Sequence, residues 1–157
     1  MVTTWPRARR RIAGLQLAAV VGMSLTALPA LAIDYLSVAE PAVLYDGPSN
    51  KAKQRYVVAR DTPLEMVLTV GNWTKVRDQE GEMTWIEKSA LAPKRTVIVR
   101  VDRSQIRAAA VDTAPLVFEA ERQVVLDLVE KGPAGWAKVK HRDGQTGFVK
   151  AAQVWGL

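Results

Sequence analysis

The chain holds 157 residues, 48% hydrophobic and 24% charged, a makeup that fits one or two small folded domains and excludes a disordered chain. It has no cysteine and a single histidine, His141. Disulfides, thiolate chemistry and histidine-rich metal centres are thereby excluded, and no metal or other cofactor is expected. The formal charge of +6 gathers at the start, where Arg7, Arg9, Arg10 and Arg11 supply four of the 22 basic residues and no acidic residue precedes Asp34. Beyond residue 32, 18 basic residues face 16 acidic ones, a net charge of +2. That is too little to attract a polyanion, so no nucleic-acid partner is expected.

Residues 1–32 read as a signal peptide. A basic opening ends at Arg11, an apolar run covers residues 15–28, Pro29 breaks it, and Ala30-Leu31-Ala32 has the small-x-small pattern that a signal peptidase accepts. The alternative is a retained membrane anchor, since residues 12–31 are nearly long enough to cross a bilayer. Gln16, Gly22, Ser24 and Thr26 dilute that run, which favours cleavage after Ala32. The Arg9-Arg10-Arg11 run raises the twin-arginine route, but its flanks fit poorly, and the general secretory route is expected. The mature protein is expected in a bacterial periplasm, with no membrane span after cleavage.

Beyond the leader, residues 34–38 and 42–46 are short extended runs, and Gly47-Pro48-Ser49-Asn50 clusters strong turn formers. Lys51-Ala52-Lys53 is a solvated loop, and residues 55–59 are β-branched and aromatic, which favours a strand. Asp61-Thr62-Pro63 punctuates; residues 64–70 form the next strand, Gly71-Asn72 a turn, and residues 73–77 another strand. Trp73 and Val76 cannot share one regular strand face, so a twist or bulge is expected there. A polar loop over 78–81 leads to a closing strand at 83–87 and one helical turn at Lys88-Ser89-Ala90-Leu91. Ala92-Pro93-Lys94 marks the domain boundary. A long apolar strand follows at 96–101. Residues 104–110 suit a helix by propensity, but their place in the chain argues for a strand and then a loop. Further strands are expected at 116–120, 123–129, 136–140, 146–150 and 153–155, with a turn over 130–135.

The second half repeats the first. Trp73 pairs with Trp136, Lys75 with Lys138, Val76 with Val139, Gly81 with Gly144, Trp85 with Phe148 and Leu91 with Val154, each 63 positions apart. Each copy has about five short strands with turn signals between them and no long helix, the pattern of a small all-β barrel. The expected division is a leader at 1–32, one domain at 33–92 and a second at 93–157. A domain of about sixty residues is marginal alone, so the two are expected to pack on each other. The shared positions are core and turn residues. The differences at Asn72/Gly135, Thr74/Ala137, Gln79/Arg142 and Thr84/Gly147 are therefore the expected seat of function.

Leu44-Tyr45-Asp46-Gly47-Pro48-Ser49, Trp73-Thr74-Lys75-Val76, Gly81 and Trp85-Ile86 resemble a bacterial SH3-like domain. Trp136 to Val139, Asp143-Gly144-Gln145-Thr146-Gly147-Phe148-Val149 and Val154 carry a second copy of the resemblance. It implies two tandem SH3-like β-barrels with one-turn helices, acting as a binding or scaffolding module of the cell envelope with peptide or cell-wall ligands. Ala42-Val43-Leu44-Tyr45-Asp46 also resembles the Ala-Leu-Tyr-Asp-Tyr stretch of eukaryotic SH3 domains, which grip polyproline helices between stacked aromatics. The second tyrosine is lost near Pro48, the tryptophan pair is Trp73-Thr74, and Glu87, Lys88 and Ala90 follow Ile86. In the second copy Ile106-Arg107-Ala108 replaces Leu-Tyr-Asp. A polyproline groove is therefore not expected.

The candidate ligand-binding residues are Tyr45, Asp46, Trp73, Trp136 and Trp155. Trp85 and Phe148 are expected in the barrel cores. Trp73 and Trp136 suit either core or groove, because tryptophan often keeps an edge exposed. Trp155 is a clamp on the second barrel or an exposed contact. Tyr45 and Asp46 form a rim pair, although an Asx turn into Gly47-Pro48 also accounts for Asp46. His141 belongs to a solvated hairpin loop. Lys138, Lys140, Arg142 and Lys150 suit a solvated face or a weak site for an anionic polymer. No catalytic residue is expected: the chain lacks a phosphate loop and a nucleophile elbow, and Glu80/Glu82 and Glu119/Glu121 read as surface pairs. The reading is an exported, non-enzymatic protein that recognises a peptide or protein partner. The alternatives are peptidoglycan binding and a small envelope hydrolase.

Overall fold

Strands form where apolar and β-branched residues alternate. The computed structural model describes residues 1–3 and 33–157, so the signal peptide and its cleavage site lie outside the described residues. In the first half these are β1 (Asp34–Val38), β2 (Ala42–Tyr45), β3 (Gln54–Val58), β4 (Pro63–Val70), β5 (Trp73–Arg77), β6 (Met83–Glu87) and β7 (Leu91–Ala92). They pair in the order β3-β2-β6-β5-β4-β1-β7. In the second half β8 (Thr96–Val99), β9 (Arg103–Arg107), β10 (Leu116–Glu121), β11 (Val125–Lys131), β12 (Trp136–Lys140), β13 (Thr146–Lys150) and β14 (Val154–Trp155) repeat the plan as β10-β9-β13-β12-β11-β8-β14. All pairings are antiparallel. The two curled sheets are tandem small all-β barrels, each with a one-turn 3-10 helix, Lys88–Ala90 and Ala151–Gln153.

Each barrel closes on its own core. Val38, Leu44, Val58, Leu64, Val76 and Ile86 fill the first. A larger set that includes Val97, Val99, Ile106, Leu126, Val139 and Val149 fills the second. Each of these side chains contributes about 1.5–3 kcal/mol by leaving water. The ambiguous segment after Asp102 is strand β9 and then loop, because Ser104 and Ile106 face inward at two-residue spacing. The expected irregularity near Trp73 lies on the partner strand instead. β5 alternates regularly, with Thr74 and Val76 inward, and the register shifts on β4 between Met66 and Leu68. The second barrel has the same shift on β11 between Leu128 and Glu130.

A short connection joins the barrels, and side chains clasp them. The Ser37 and Thr96 hydroxyls lie 2.7 Å apart, and between them they reach the carbonyls of Lys94 and Asp61, each at 2.7 Å. Tyr35 of the first barrel meets Trp155 of the second edge to face, with centroids 5.0 Å apart. The Arg95 guanidinium lies 5.6 Å from the centroid of the Tyr35 ring and donates to the carbonyl of Gly156 at 3.0 Å. Burial, followed by the charge of Glu65, pushes the Tyr35 phenol above its ordinary pKa. Lys94 bridges Asp61 at 3.0 Å and Asp127 at 2.9 Å. Gln79 donates to Gln123 across the same junction at 2.7 Å.

Candidate functional site

The outward face of each sheet decides what a partner meets. On β5 and β6 the inward positions belong to Thr74, Val76, Thr84 and Ile86. Strand alternation therefore turns Trp73, Lys75 and Trp85 outward. On β12 and β13 Ala137, Val139, Gly147 and Val149 face inward, and Trp136, Lys138, Phe148 and Lys150 face outward. The core placement expected for Trp85 and Phe148 is thus corrected. Both are half-buried on the outer face, with the Lys75 and Lys138 ammonium groups 5.9 and 6.0 Å from their ring centroids.

Trp73 opens β5 just after the Gly71-Asn72 turn, and its ring is met edge to face by Tyr45, with centroids 5.3 Å apart and planes at 88°. Tyr45 ends β2 and pairs with Trp85 on β6. The Trp73 ring borders an open groove of about 790 Å³. Pro48, Ser49 and Asn50 form one wall, and Glu87 at the end of β6 with Lys88 and Ser89 of the 3-10 turn form the other, with Asn72 and Trp73 between them. Asp46 does not line this groove. Its carboxylate accepts from the Lys53 backbone N–H at 3.0 Å, and its own N–H donates to the Lys53 carbonyl, so Asp46 closes the base of the loop.

Trp136 borders a smaller groove on the second barrel, about 280 Å³ in volume, which reaches across the outward residues of β9. Arg107 occupies the place of Tyr45, opposite Phe148 as Tyr45 is opposite Trp85. Lys150 occupies the place of Glu87, paired with Trp136 as Glu87 is with Trp73. Trp155 lies in neither groove; it clasps the second barrel to the first through Tyr35. The five residues singled out from the sequence therefore separate into Tyr45 and Trp73 at one groove, Trp136 at another, Trp155 at the junction and Asp46 in a loop base. Sequence reasoning raised Lys150 only as part of a basic face and did not place Arg107 at a site, although the alignment of Ile106-Arg107 with Leu44-Tyr45 already held the signal.

Of the expected functional differences, Thr74/Ala137 and Thr84/Gly147 are inward positions and change core packing rather than an exposed surface. His141 places Nδ1 3.0 Å from Asp143 Oδ1 in its hairpin loop and tilts against Phe118. The backbone N–H of Gln145, its side-chain amide and then His141 pull the Asp143 carboxyl down to about 2. Glu82 pairs with Arg55 at 2.7 Å and Glu119 with Arg103 at 3.5 Å; both glutamates, and their neighbours Glu80 and Glu121, are on the surface. Among the described residues no three His, Asp or Glu side chains converge as metal ligands do, and no helix is long and apolar enough to cross a membrane.

The chain is similar to the solved structures of NlpC2 and NlpC1 from Trichomonas vaginalis. The first has a TM-score of 0.35 and 12% identity over 79% of this chain and 48% of that one; the second has 0.35 and 15% over 82% and 47%. It is also similar to an NlpC/P60 family protein from Bacillus cereus, with a TM-score of 0.34 and 12% identity over 78% of this chain and 56% of that one. The chain thus spans about half the length of those structures. No curated protein matches it. A family profile described as the bacterial SH3 domain matches residues 38–93 and again 100–156, one copy on each sheet. The chain therefore belongs to the bacterial SH3 domain family and carries two tandem copies of that domain.

Proposed function

We propose that the chain is an exported, non-enzymatic binding protein whose first barrel takes an extended peptide segment of a protein partner along the Trp73 groove. The observation that carries this reading is the Tyr45–Trp73 pair, two outward rings locked edge to face at 5.3 Å beside an open groove. Rings already held in place lose little entropy when a partner arrives, and they present both an apolar face and a polar tip. Ser49, Asn72 and Ser89 around them supply polar groups that a peptide backbone can meet. A volume of about 790 Å³ is that of a ligand groove rather than a packing defect.

A random-peptide display library selected on the purified protein tests this. Enriched peptides are expected, and Trp73→Ala should weaken them by about ten- to a hundredfold. Selection that yields no peptide, or yields the same peptides on Trp73→Ala, overturns the reading. Trp73-dependent sedimentation with insoluble peptidoglycan would move the ligand to the cell wall. Release of soluble muropeptides would overturn the non-enzymatic role. Export rests on the leader read in residues 1–32. Amino-terminal sequencing of periplasmic protein should begin at Ile33, and an intact Met1 refutes cleavage.

A further inference from the structure

The groove beside Trp136 on the second barrel has a different chemistry from the one beside Trp73. Of the outward residues of β9, Arg107 stands where the first barrel has Tyr45. Its guanidinium donates to the carbonyl of Ala114 at 2.7 Å and to the amide oxygen of Gln105, both neutral acceptors. The other two cations of the groove are already matched by acids. Lys150 lies 2.6 Å from Asp112, and Arg103 lies 3.5 Å from Glu119. Gln105 also donates to Glu119 at 3.3 Å, which places a neutral amide between that carboxylate and Arg107. Three cations against two carboxylates leave one positive charge, that of Arg107. In the first groove Glu87 and Lys88 cancel.

We propose that this second groove is a separate site for a singly charged carboxylate carried on an apolar or aromatic group. Arg107 holds the carboxylate, and the part of the Trp136 ring left open by the Lys150 ammonium, which lies 5.7 Å from its centroid, receives the attached group. A guanidinium is always charged, and its planar fork matches a carboxylate. Two hydrogen bonds fix its orientation before a ligand arrives and leave donors free. The flanking Asp112 and Glu119 carboxylates set the selectivity, because they repel a second negative charge and so exclude a dianionic phosphate. A volume of about 280 Å³ accommodates a group the size of one amino acid rather than an extended chain. The site does not depend on what the Trp73 groove takes.

The test follows the Trp136 indole N–H by NMR in the full chain, with Trp136→Phe identifying the signal. N-acetylphenylalanine is the probe, compared with its amide and with phenyl phosphate. The acid is expected to bind about tenfold more tightly than the amide, with phenyl phosphate weaker than the acid and the Trp73 signal unmoved. Arg107→Gln should reduce the acid to the level of the amide. Equal binding of acid and amide, an acid preference that survives Arg107→Gln, tighter binding of phenyl phosphate, or no shift with any probe at about 10 mM each overturns the proposal. If Arg107→Gln does not fold, the three probes on the unsubstituted protein still decide. N-acetyl-aspartyl-phenylalaninamide separates the two sources of the carboxylate. Tighter binding than the acid assigns an acidic side chain, and weaker binding assigns a chain end.

Discussion

Gly156 allows the two barrels to approach each other. Its backbone has φ +111°, and a Cβ built there would stand 2.7 Å from the Thr96 carbonyl oxygen and 3.1 Å from Pro63 Cβ. Thr96 belongs to the second barrel, as Gly156 does, and Pro63 to the first, and Gly156→Ala meets two separate penalties, one of backbone conformation and one of contact. The positive φ costs about 1–3 kcal/mol for a side-chain-bearing residue. The contact forces a backbone shift at the junction and costs about 1–3 kcal/mol more. Gly144 separates the two penalties, because it has φ +96° with nothing within 4 Å of its virtual Cβ. Gly144→Ala should therefore lose about 1–3 kcal/mol and Gly156→Ala about 2–6 kcal/mol. Urea unfolding followed by tryptophan fluorescence measures both, and a gap of about 2 kcal/mol moves the midpoint by about 1 M. Equal losses in the two variants would refute the argument, since the contacts with Thr96 and Pro63 would then carry no weight.

Two further outcomes follow from the same geometry. Trp155→Ala should lose about 2–3 kcal/mol, less than a fully buried tryptophan, because its ring is only half-buried. In a double-mutant cycle with Tyr35→Ala the pair should couple by about 0.5–1.5 kcal/mol; strict additivity in the unfolding data would show that the rings act independently. Asp143 has a folded-state pKa of about 2 against an ordinary 3.8, because Gln145 donates to its charged form. Its contribution to the hairpin loop is thus present above about pH 4 and is lost as the pH falls through about 2. A carboxyl carbon titration by NMR should show that midpoint, with the Gln145 amide signal moving in step, and a midpoint near 3.8 would refute it.

The barrels were legible because their determinants are local and periodic. Inward valines and leucines alternate with solvated residues, and turn formers separate the runs, so element type and approximate bounds follow from the residues alone. The aromatic positions were harder. Trp85 and Phe148 have the size and apolarity of core residues, yet parity on β6 and β13 gives the inward places to Ile86 and Val149. Strand parity outranks hydrophobicity there, and a lysine lies over each half-buried ring instead. The gap-free 63-residue register drew attention to Thr74/Ala137 and Thr84/Gly147, which are buried. The more telling exchange, Tyr45 for Arg107, falls one residue out of that register. Trp155 could not be placed from sequence, because its partner Tyr35 is far away in the chain and only the packed junction brings them together.

The clasp between the barrels also governs how two modest sites would act together. With Tyr35 against Trp155 and Ser37 against Thr96, the grooves at Trp73 and Trp136 are held at one spacing rather than swinging on a tether. A partner that carries an extended segment and a carboxylate at the matching separation would engage the second groove intramolecularly, at a high effective concentration. One whose two determinants are spaced otherwise would gain nothing from the second groove. If both proposed grooves bind, the junction would make a ruler of them, with selectivity set by the distance between them as much as by either one.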